Sequence, residues 1–405
     1  MGRILMAWEL GGGMGHVLPL AQVAERLVAR GHELHFVLRD LAGAADALGP
    51  LLRHPRLRLW QAPIWVAQLQ GLPPPLSYAE LLFHAGYLDA RRLGGLAEAW
   101  RSLLTRIKPQ LLLADHAPTA LLAARGLAMK RALIGTGFFL PPAAAPMPAF
   151  REWERHDPAR LAQTEARALA TCNALLPHWE QPPLSALHQL TAADEQFLLT
   201  WPELDHYSPG AQGRPGARYW GALPPRDQGV AADWPAGEGA PLFAYLKGDY
   251  GSLERVLQVL HQSPQRVLAH VTGLRPEQRR RFESERLRFS EGPVSMEQVV
   301  AQAGAVLCHA GSGTVCTALQ AGLPVLMLPM HAEQLLFARR VATAQAGLYV
   351  LEAALAQQLP EALRRLMQDP VLRDGAQALA ARHGPARYGD VAGEVALRCE
   401  ALAVA

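Results

Sequence analysis

The stretch CHAGSGTVCTALQAGLPVLMLPMHAEQ, Cys308 to Gln334, gathers His309, Ser312, Thr314, Glu333 and Gln334 with glycines at 311 and 313. Glycines let main-chain N–H groups approach a phosphate closely, a helix N-terminus favours negative charge, and His309 can add a side-chain donor. Glu333 and Gln334 supply acceptors and donors suited to sugar hydroxyls. A diphosphate joined to a sugar would satisfy both halves. A second locus, Glu9-Leu10-Gly11-Gly12-Gly13-Met14-Gly15-His16, ends a glycine-rich turn on a histidine. Near a helix start the neutral imidazole is favoured over the cation, and neutral imidazole is what a general base requires.

These side chains need elements to hold them. Ala305 to Cys308 reads as a short apolar strand and Thr314 to Ala321 has helical apolar spacing; Gly322 and Pro324 stop that helix before the strand Val325 to Leu328. The result is a βαβ unit with both turns at the carboxyl ends of neighbouring parallel strands. Without a ligand, the same residues would read as an ordinary crossover whose Gly, Ser and Thr serve a tight turn.

Strands are expected at Ile4 to Trp8, Glu33 to Leu38, Leu57 to Trp60, Gln110 to Ala114 and Arg131 to Gly135, with Phe197 to Thr200 and Arg218 to Trp220 completing the first half. Helical spacing covers Val17 to Ala29, Tyr78 to Arg106 and Thr119 to Arg125. A Gly- and Pro-rich stretch follows between about 209 and 241, as an interdomain linker should. The second half continues through Leu242 to Leu246, Arg266 to His270, Leu287 to Phe289 and the donor unit. This order predicts an α/β chain of two parallel sheets, each covered by helices.

Taken together, His309, the Gly-Ser-Gly-Thr turn and Pro-Met-His-Ala-Glu-Gln resemble the donor signature of the GT-B nucleotide-sugar glycosyltransferases. This is the UDP-glycosyltransferase superfamily, and the likeness is closer to its bacterial antibiotic and secondary-metabolite members than to plant ones. The resemblance implies two Rossmann-like, doubly wound domains facing across a cleft. Residues 1–222 would form the acceptor domain, 223–240 a linker and 241–384 the donor domain, with a helix at 385–405 crossing back onto the first. It also implies that His309, Gly311, Ser312, Gly313 and Thr314 hold the donor diphosphate and that Glu333 and Gln334 hold the sugar.

The family's plant members carry a Trp that stacks on uracil and a Glu that grips the ribose. Here the base segment reads Glu291-Gly292-Pro293-Val294 and the ribose position falls on Thr317. Val294 would then receive the base through main-chain hydrogen bonds, and UDP- and dTDP-sugars both stay open. Lys247 and Gly248, after the first strand of the second half, and Gly13 in the first loop are candidate phosphate or acceptor contacts, with a solvated loop position at least an equal use for Lys247.

His16, followed three residues later by Pro19, resembles the family's N-terminal motif, whose His deprotonates the acceptor hydroxyl. A dinucleotide turn is the competing reading, but Gly11, Gly13 and Gly15 do not match GxGxxG. A carboxylate on the other imidazole nitrogen would fix the tautomer, and Asp115 is the candidate. Capping the helix that begins near Pro118 is an equal use for Asp115 on sequence alone. His116 is expected to point elsewhere, toward the acceptor. Trp65, Phe83, His84, Phe138 and Phe139 would build an apolar or aromatic acceptor pocket, although aromatic residues are more often core.

The chemistry so implied is inverting transfer from a nucleoside-diphosphate sugar, independent of metal, with no cofactor beyond the substrate; no Asp-x-Asp motif is placed to hold a metal. A sugar-nucleotide epimerase or hydrolase of the same fold, or a non-catalytic nucleotide-sugar-binding helper, are the alternatives.

At 405 residues, half of them hydrophobic, the chain suffices for two domains with sizeable cores. A formal charge of +3 argues against nucleic acid, and Arg279-Arg280-Arg281 is interleaved with Glu277, Glu283 and Glu285, as a solvated helix face would be. Weak contact with an anionic membrane surface stays open. Cysteines 172, 308, 316 and 399 form no CxxC pair or Cys/His metal spacing, which fits a reducing cytoplasm. Ile4 to Trp8 is too short for a signal segment, and prolines 141, 142, 146 and 148 break the apolar run Ala132 to Phe150 as a membrane span. A cytoplasmic protein without a transmembrane segment is expected.

Overall fold

Strands whose apolar residues run on without alternation must be buried on both faces, and parallel sheets covered by helices meet that demand. The computed structural model describes residues 1–404 apart from 68, 209, 211, 225, 226 and 228. Residues 225, 226 and 228 of the expected linker, and the last residue of the expected helix 385–405, therefore lie outside the described residues. In the first sheet β1 is Arg3–Trp8, β2 Glu33–Leu38, β3 Leu57–Gln61, β4 Leu111–Asp115, β5 Lys130–Gly135 and β6 Glu195–Leu198. In the second, β7 is Leu242–Lys247, β8 Val267–Thr272, β9 Leu287–Phe289, β10 Ala305–Cys308, β11 Val325–Met327 and β12 Gly347–Tyr349. All their pairings are parallel.

The orders are β3-β2-β1-β4-β5-β6 and β12-β11-β10-β7-β8-β9. In each sheet the winding direction reverses between the first and fourth strands in chain order. The loops leaving those two strands diverge to opposite faces and open a crevice at their carboxyl ends. His16 follows β1 and Asp115 ends β4; Lys247 ends β7 and His309 follows β10. Both chemical loci therefore sit at topological switch points.

Two compact units result. The first comprises Met1–Thr200, Gly213–Gly221 and the chain from Asp390 onward; the second comprises Trp201–Gln212 and Ala222–Gly389. Residues 201–212 thus fall in the second unit instead of the expected 1–222. Trp201 and Leu204 are buried in its core, and Trp201 stacks on His383 at 4.7 Å. The His383 ring is held in turn by Tyr388 and Glu203, each at 2.9 Å. Residues 385–389 also stay in the second unit, and only the helix Val391–Val404 belongs to the first. There Asp390 pairs with Arg26 at 3.0 Å and Glu400 with Arg30 at 3.3 Å and His32 at 3.2 Å.

Two local expectations differ. Tyr78 to Arg106 is not one helix but two, Tyr78–Phe83 and Ala90–Ile107, because Gly86 takes φ +95° and Asp89 caps the second by accepting from the Arg92 N–H at 3.1 Å. Arg218 to Trp220 contributes only a single parallel bridge, Tyr219 to Leu198. The triple arginine lies on the helix Pro276–Phe282, where Arg279 pairs with Glu283 and Glu291, Arg280 with Glu277, and Arg281 with Glu254. Among the described residues no helix is long and apolar enough to cross a membrane.

Candidate active site

In the first unit, register sets Trp8 of β1 opposite Asp115 of β4, so the loop leaving β1 starts beside that carboxylate. His16 Nδ1 lies 2.7 Å from Asp115 Oδ1, with the two side chains only 5% and 2% exposed. Neither residue caps a helix through its side chain. His16 occupies the N-cap position of Val17–Ala29 without a side-chain cap bond, and the helix Pro118–Ala123 has Ala117 at its N-cap. Asp115 instead holds the proton on His16 Nδ1 and leaves the lone pair on Nε2. Burial raises the Asp115 pKa above the usual carboxylate value, opposed by the charge and hydrogen bond of His16.

The His16 ring is walled by Trp8 at 5.4 Å, Phe139 at 4.6 Å and His116 at 6.1 Å between centroids. Gly11, at φ +83°, closes over it: a Cβ there would stand 2.4 Å from His16 Nε2. Only glycine lets the loop pass so near that nitrogen. Gly13 is exposed at the loop surface, with open space where a Cβ would be.

His116 does not turn away from His16, as the sequence led us to expect. It takes a left-handed backbone, φ +45°, with its carbonyl accepting from the Leu10 N–H at 3.0 Å and its ring against Phe139 at 4.6 Å and Tyr78 at 5.8 Å. Both ring nitrogens are enclosed without a hydrogen-bond partner among the described residues. Burial, and then the neighbouring His16, push its pKa well below the ordinary value, so it is neutral. A left-handed non-glycine residue with an unpaired buried ring is locally destabilising, and such features cluster at functional sites.

The expected acceptor residues stand in different surroundings. Phe138 is core, 3% exposed and packed on Phe150; Phe83 is buried beneath Arg167; His84 is exposed at the end of Tyr78–Phe83; and Trp65 lies under Arg92 at 5.7 Å. Of these aromatics, Phe139 is the one that reaches His16. The short 3-10 turn Gly137–Phe139 after β5 carries both rings, which meet edge to face at 5.3 Å.

Glu9 directly follows β1, and its surroundings were not legible in the sequence. It is buried, and its carboxylate accepts from the Thr119 N–H at 2.8 Å at the start of the helix Pro118–Ala123. Burial raises its pKa from 4.5 to about 7, opposed by its bonds to Thr119. The folded chain therefore holds a proton here that the unfolded chain releases, and stability falls as pH rises from about 4.5 to about 7. Glu9→Gln keeps the acceptor and removes the titration. Its unfolding free energy, from denaturant titration, should fall less between pH 5 and pH 8, by a difference on the order of 2 to 3 kcal/mol. Parallel pH profiles of the two proteins would remove this assignment.

In the second unit, the helix Ser312–Gln320 starts directly after the turn from β10. Ala310 takes φ +57° and Gly311 is the N-cap, so the N–H groups of Ser312, Gly313 and Thr314 form the first turn, which lacks intrahelical acceptors. Ser312, Gly313 and Thr314 are partly exposed and Gly311 is exposed. A helix start of this kind binds phosphate.

His309 is committed differently from its expected role as an extra donor. Its Nδ1–H donates to Leu328 O at 2.9 Å, and its Nε2 accepts from the Lys247 main-chain N–H at 3.1 Å. Burial lowers its pKa, and Lys247 acts in the same direction. Neutral His309 thus pins the loop after β7 to the loop after β11. The Gly248 N–H is also taken, by Thr272 O at 2.7 Å, and a Cβ at 248 would meet that oxygen and Gly273 O at 2.7 Å each. Close backbone contact explains this glycine.

Glu333 lies in the first turn of the helix Ala332–Thr343, its carboxylate 3.4 Å from His206 Nε2 and 3.8 Å from His331 Nδ1. His206, fully buried and stacked on Phe337, comes from the segment 201–212 and had no signal in the sequence. Gln334 turns its carbonyl inward to accept from the Met330 N–H at 2.8 Å. The Thr317 hydroxyl donates to Gly313 O at 2.8 Å. Val294 bridges Val230, whose N–H and C=O bond to Pro293 O and the Ser295 N–H, so the amide and carbonyl of Val294 itself face away from Val230. The four cysteines are free and buried, and burial pushes the thiols of Cys172, Cys308 and Cys316 up to about 12. Among the described residues no group of three or more His, Cys, Asp or Glu side chains could hold a metal ion.

Residues 285–402 match the family described as "Erythromycin biosynthesis protein CIII-like, C-terminal domain". Over 114 residues the chain is 39% identical to the UDP-N-acetylglucosamine–N-acetylmuramyl-(pentapeptide) pyrophosphoryl-undecaprenol N-acetylglucosamine transferase of Mycobacterium tuberculosis, spanning 27% of each chain. It thus covers about a quarter of the length of that curated relative. Among solved structures, the calicheamicin glycosyltransferase CalG4 superposes with TM-score 0.69 at 20% identity, covering 99% of this chain and 98% of that one. The glycosyltransferase SsfS6 of Streptomyces sp. SF2575, complexed with thymidine diphosphate, gives TM-score 0.64 at 18% identity, covering 99% and 100%.

Proposed function

We propose that this chain, of GT-B fold and similar over residues 285–402 to the EryCIII-like C-terminal domain, is an inverting glycosyltransferase using a nucleoside-diphosphate sugar and a small apolar or aromatic acceptor. The observation that carries this reading is the enclosed 2.7 Å His16–Asp115 pair at the switch point of the first sheet. In the reaction, His16 Nε2 takes the acceptor proton as the acceptor oxygen bonds to the sugar's C1. The bond from C1 to the β-phosphate oxygen breaks on the opposite face, and the nucleoside diphosphate leaves with the electron pair. Asp115 stabilises the imidazolium so formed. The first-turn N–H groups of Ser312, Gly313 and Thr314 meet the charge that grows on the leaving phosphate, which favours the transition state over the bound substrate. No step calls for a metal or a cofactor.

The complex of SsfS6 with thymidine diphosphate supports a dTDP-sugar donor, and the mycobacterial transferase, by its name, a UDP-sugar. Four free, buried cysteines support a cytoplasmic setting. Screening UDP- and dTDP-sugars for binding, then measuring nucleotide release with and without a phenolic acceptor panel, tests the proposal. Release that no acceptor accelerates would favour hydrolysis and reject transfer.

His309 contributes a second expectation. For its Nε2 to donate to a phosphate, it must give up the Lys247 N–H and gain a proton, so donor binding is coupled to proton uptake. The affinity for UDP or dTDP should rise as pH falls toward 6, and His309→Gln should lose about tenfold in affinity and flatten that rise. Calorimetry across pH, with the variant correcting for titration of the nucleotide itself, checks this; identical slopes would reject the coupling.

A further inference from the structure

One face of the second sheet is left open near its carboxyl edge. Along β7, Leu242, Phe243, Ala244 and Leu246 are buried, but Tyr245 is 38% exposed although it shares a face with the core residue Phe243. Register sets Tyr245 beside His270 on β8 and Cys308 on β10, and sets Ala269 beside Phe289, which brings Ser290 next to His270. The Tyr245 and His270 rings stack at 5.5 Å and 25°. Ser290 Oγ donates to Gly292 O at 2.8 Å and lies 3.1 Å from His270 Nδ1, so that nitrogen carries the proton and the lone pair is on Nε2. Burial lowers the His270 pKa, in keeping with a neutral ring.

This row connects two segments already described. At one end, Cys308 leads into His309 and the first turn of Ser312–Gln320; at the other, Ser290 leads into Glu291–Val294. Three strand spacings separate β10 from β9, roughly 14 Å. A nucleoside diphosphate whose phosphates sit at that helix start and whose base reaches 291–294 must cross Tyr245 and His270. An exposed aromatic ring, propped from one side by a second flat ring, offers a π-face to a base.

We propose that Tyr245, backed by His270, is the stacking platform for the nucleobase of the donor, with Ser290 and the main chain at 291–294 meeting the base edge. The proposal rests on the reading that the second unit binds a nucleoside-diphosphate sugar. It identifies an aromatic contact in a chain whose base segment has no Trp.

The test is calorimetric binding of UDP, dTDP and inorganic pyrophosphate to the full chain, wild type and the variants Tyr245→Ala, Tyr245→Phe and His270→Ala. Tyr245→Ala should weaken the nucleotides by about 10- to 100-fold and leave pyrophosphate unchanged, and Tyr245→Phe should keep wild-type affinity. His270→Ala, which removes the backing ring, should give a smaller loss of the same selectivity. Unchanged nucleotide affinity in Tyr245→Ala overturns the platform alone, as does an equal loss of pyrophosphate, which would mark a general collapse of the site. A wild-type protein that binds neither nucleotide overturns the donor-site reading and the platform together.

Discussion

Replacing Asp115 by Asn should lower the rate of glycosyl transfer by about 10³- to 10⁴-fold while leaving the fold and donor affinity intact. The substitution keeps the shape of the side chain and its 2.7 Å approach to His16 Nδ1. What changes is the direction of the hydrogen bond. With its NH₂ turned to Nδ1 the carboxamide makes that nitrogen the acceptor and moves the ring proton to Nε2, where the lone pair is needed; with its oxygen there the tautomer is kept and only the charge is lost. The imidazolium that forms when the acceptor is deprotonated also loses its counter-charge. His16→Ala should cost at least as much, since the base itself is gone. Nucleotide release with a phenolic acceptor at saturating donor, beside calorimetric donor binding, measures both variants. Full activity in His16→Ala would refute the base, and an Asp115→Asn variant as fast as wild type would reduce Asp115 to a structural role.

Thr314→Glu should separate folding from binding. At the third position of the helix Ser312–Gln320, a carboxylate lies beside N–H groups that have no intrahelical acceptor, and it interacts favourably with the helix dipole, by about 0.3–1 kcal/mol. The thermal midpoint should therefore hold or rise. The same charge stands where a diphosphate would bind. At about 5 Å and an effective dielectric near 20, the repulsion is on the order of 3 kcal/mol, roughly a hundredfold in affinity. UDP and dTDP should thus bind at least about a hundredfold more weakly to a protein that is no less stable. Unchanged affinity would mean that the phosphates are held elsewhere.

How far the sequence carries can be judged at particular residues. Leu287–Phe289 and Ala305–Cys308 have the bounds that the apolar runs indicate, and the donor turn opens into a helix as its Gly-Ser-Gly-Thr indicates. The GT-B fold read from that signature is the fold of the chain. Other points were not legible. Asp115 could cap a helix or meet His16, and the choice turns on β1 and β4 being neighbours. Phe138 and Phe139 are adjacent and equally aromatic on one 3-10 turn, yet the first is buried and the second meets His16. His206 is a lone histidine beside a proline-rich stretch, and only its segment's attachment to the second core brings it to Glu333. His309 was legible as a residue of the donor turn, but not as a pin for the Lys247 loop.

By itself, the sequence determined the strands, the glycine turns and the helix start that could receive a phosphate, because apolar periodicity and turn chemistry act over a few consecutive residues. The tertiary structure decided which nitrogen of His16 meets Asp115, how His309 is engaged, that burial raises the Glu9 pKa and that Tyr245 lies open beside His270. Each of these depends on strand order, on register or on burial from water. Those are set by residues far apart in the chain, and no local pattern encodes them.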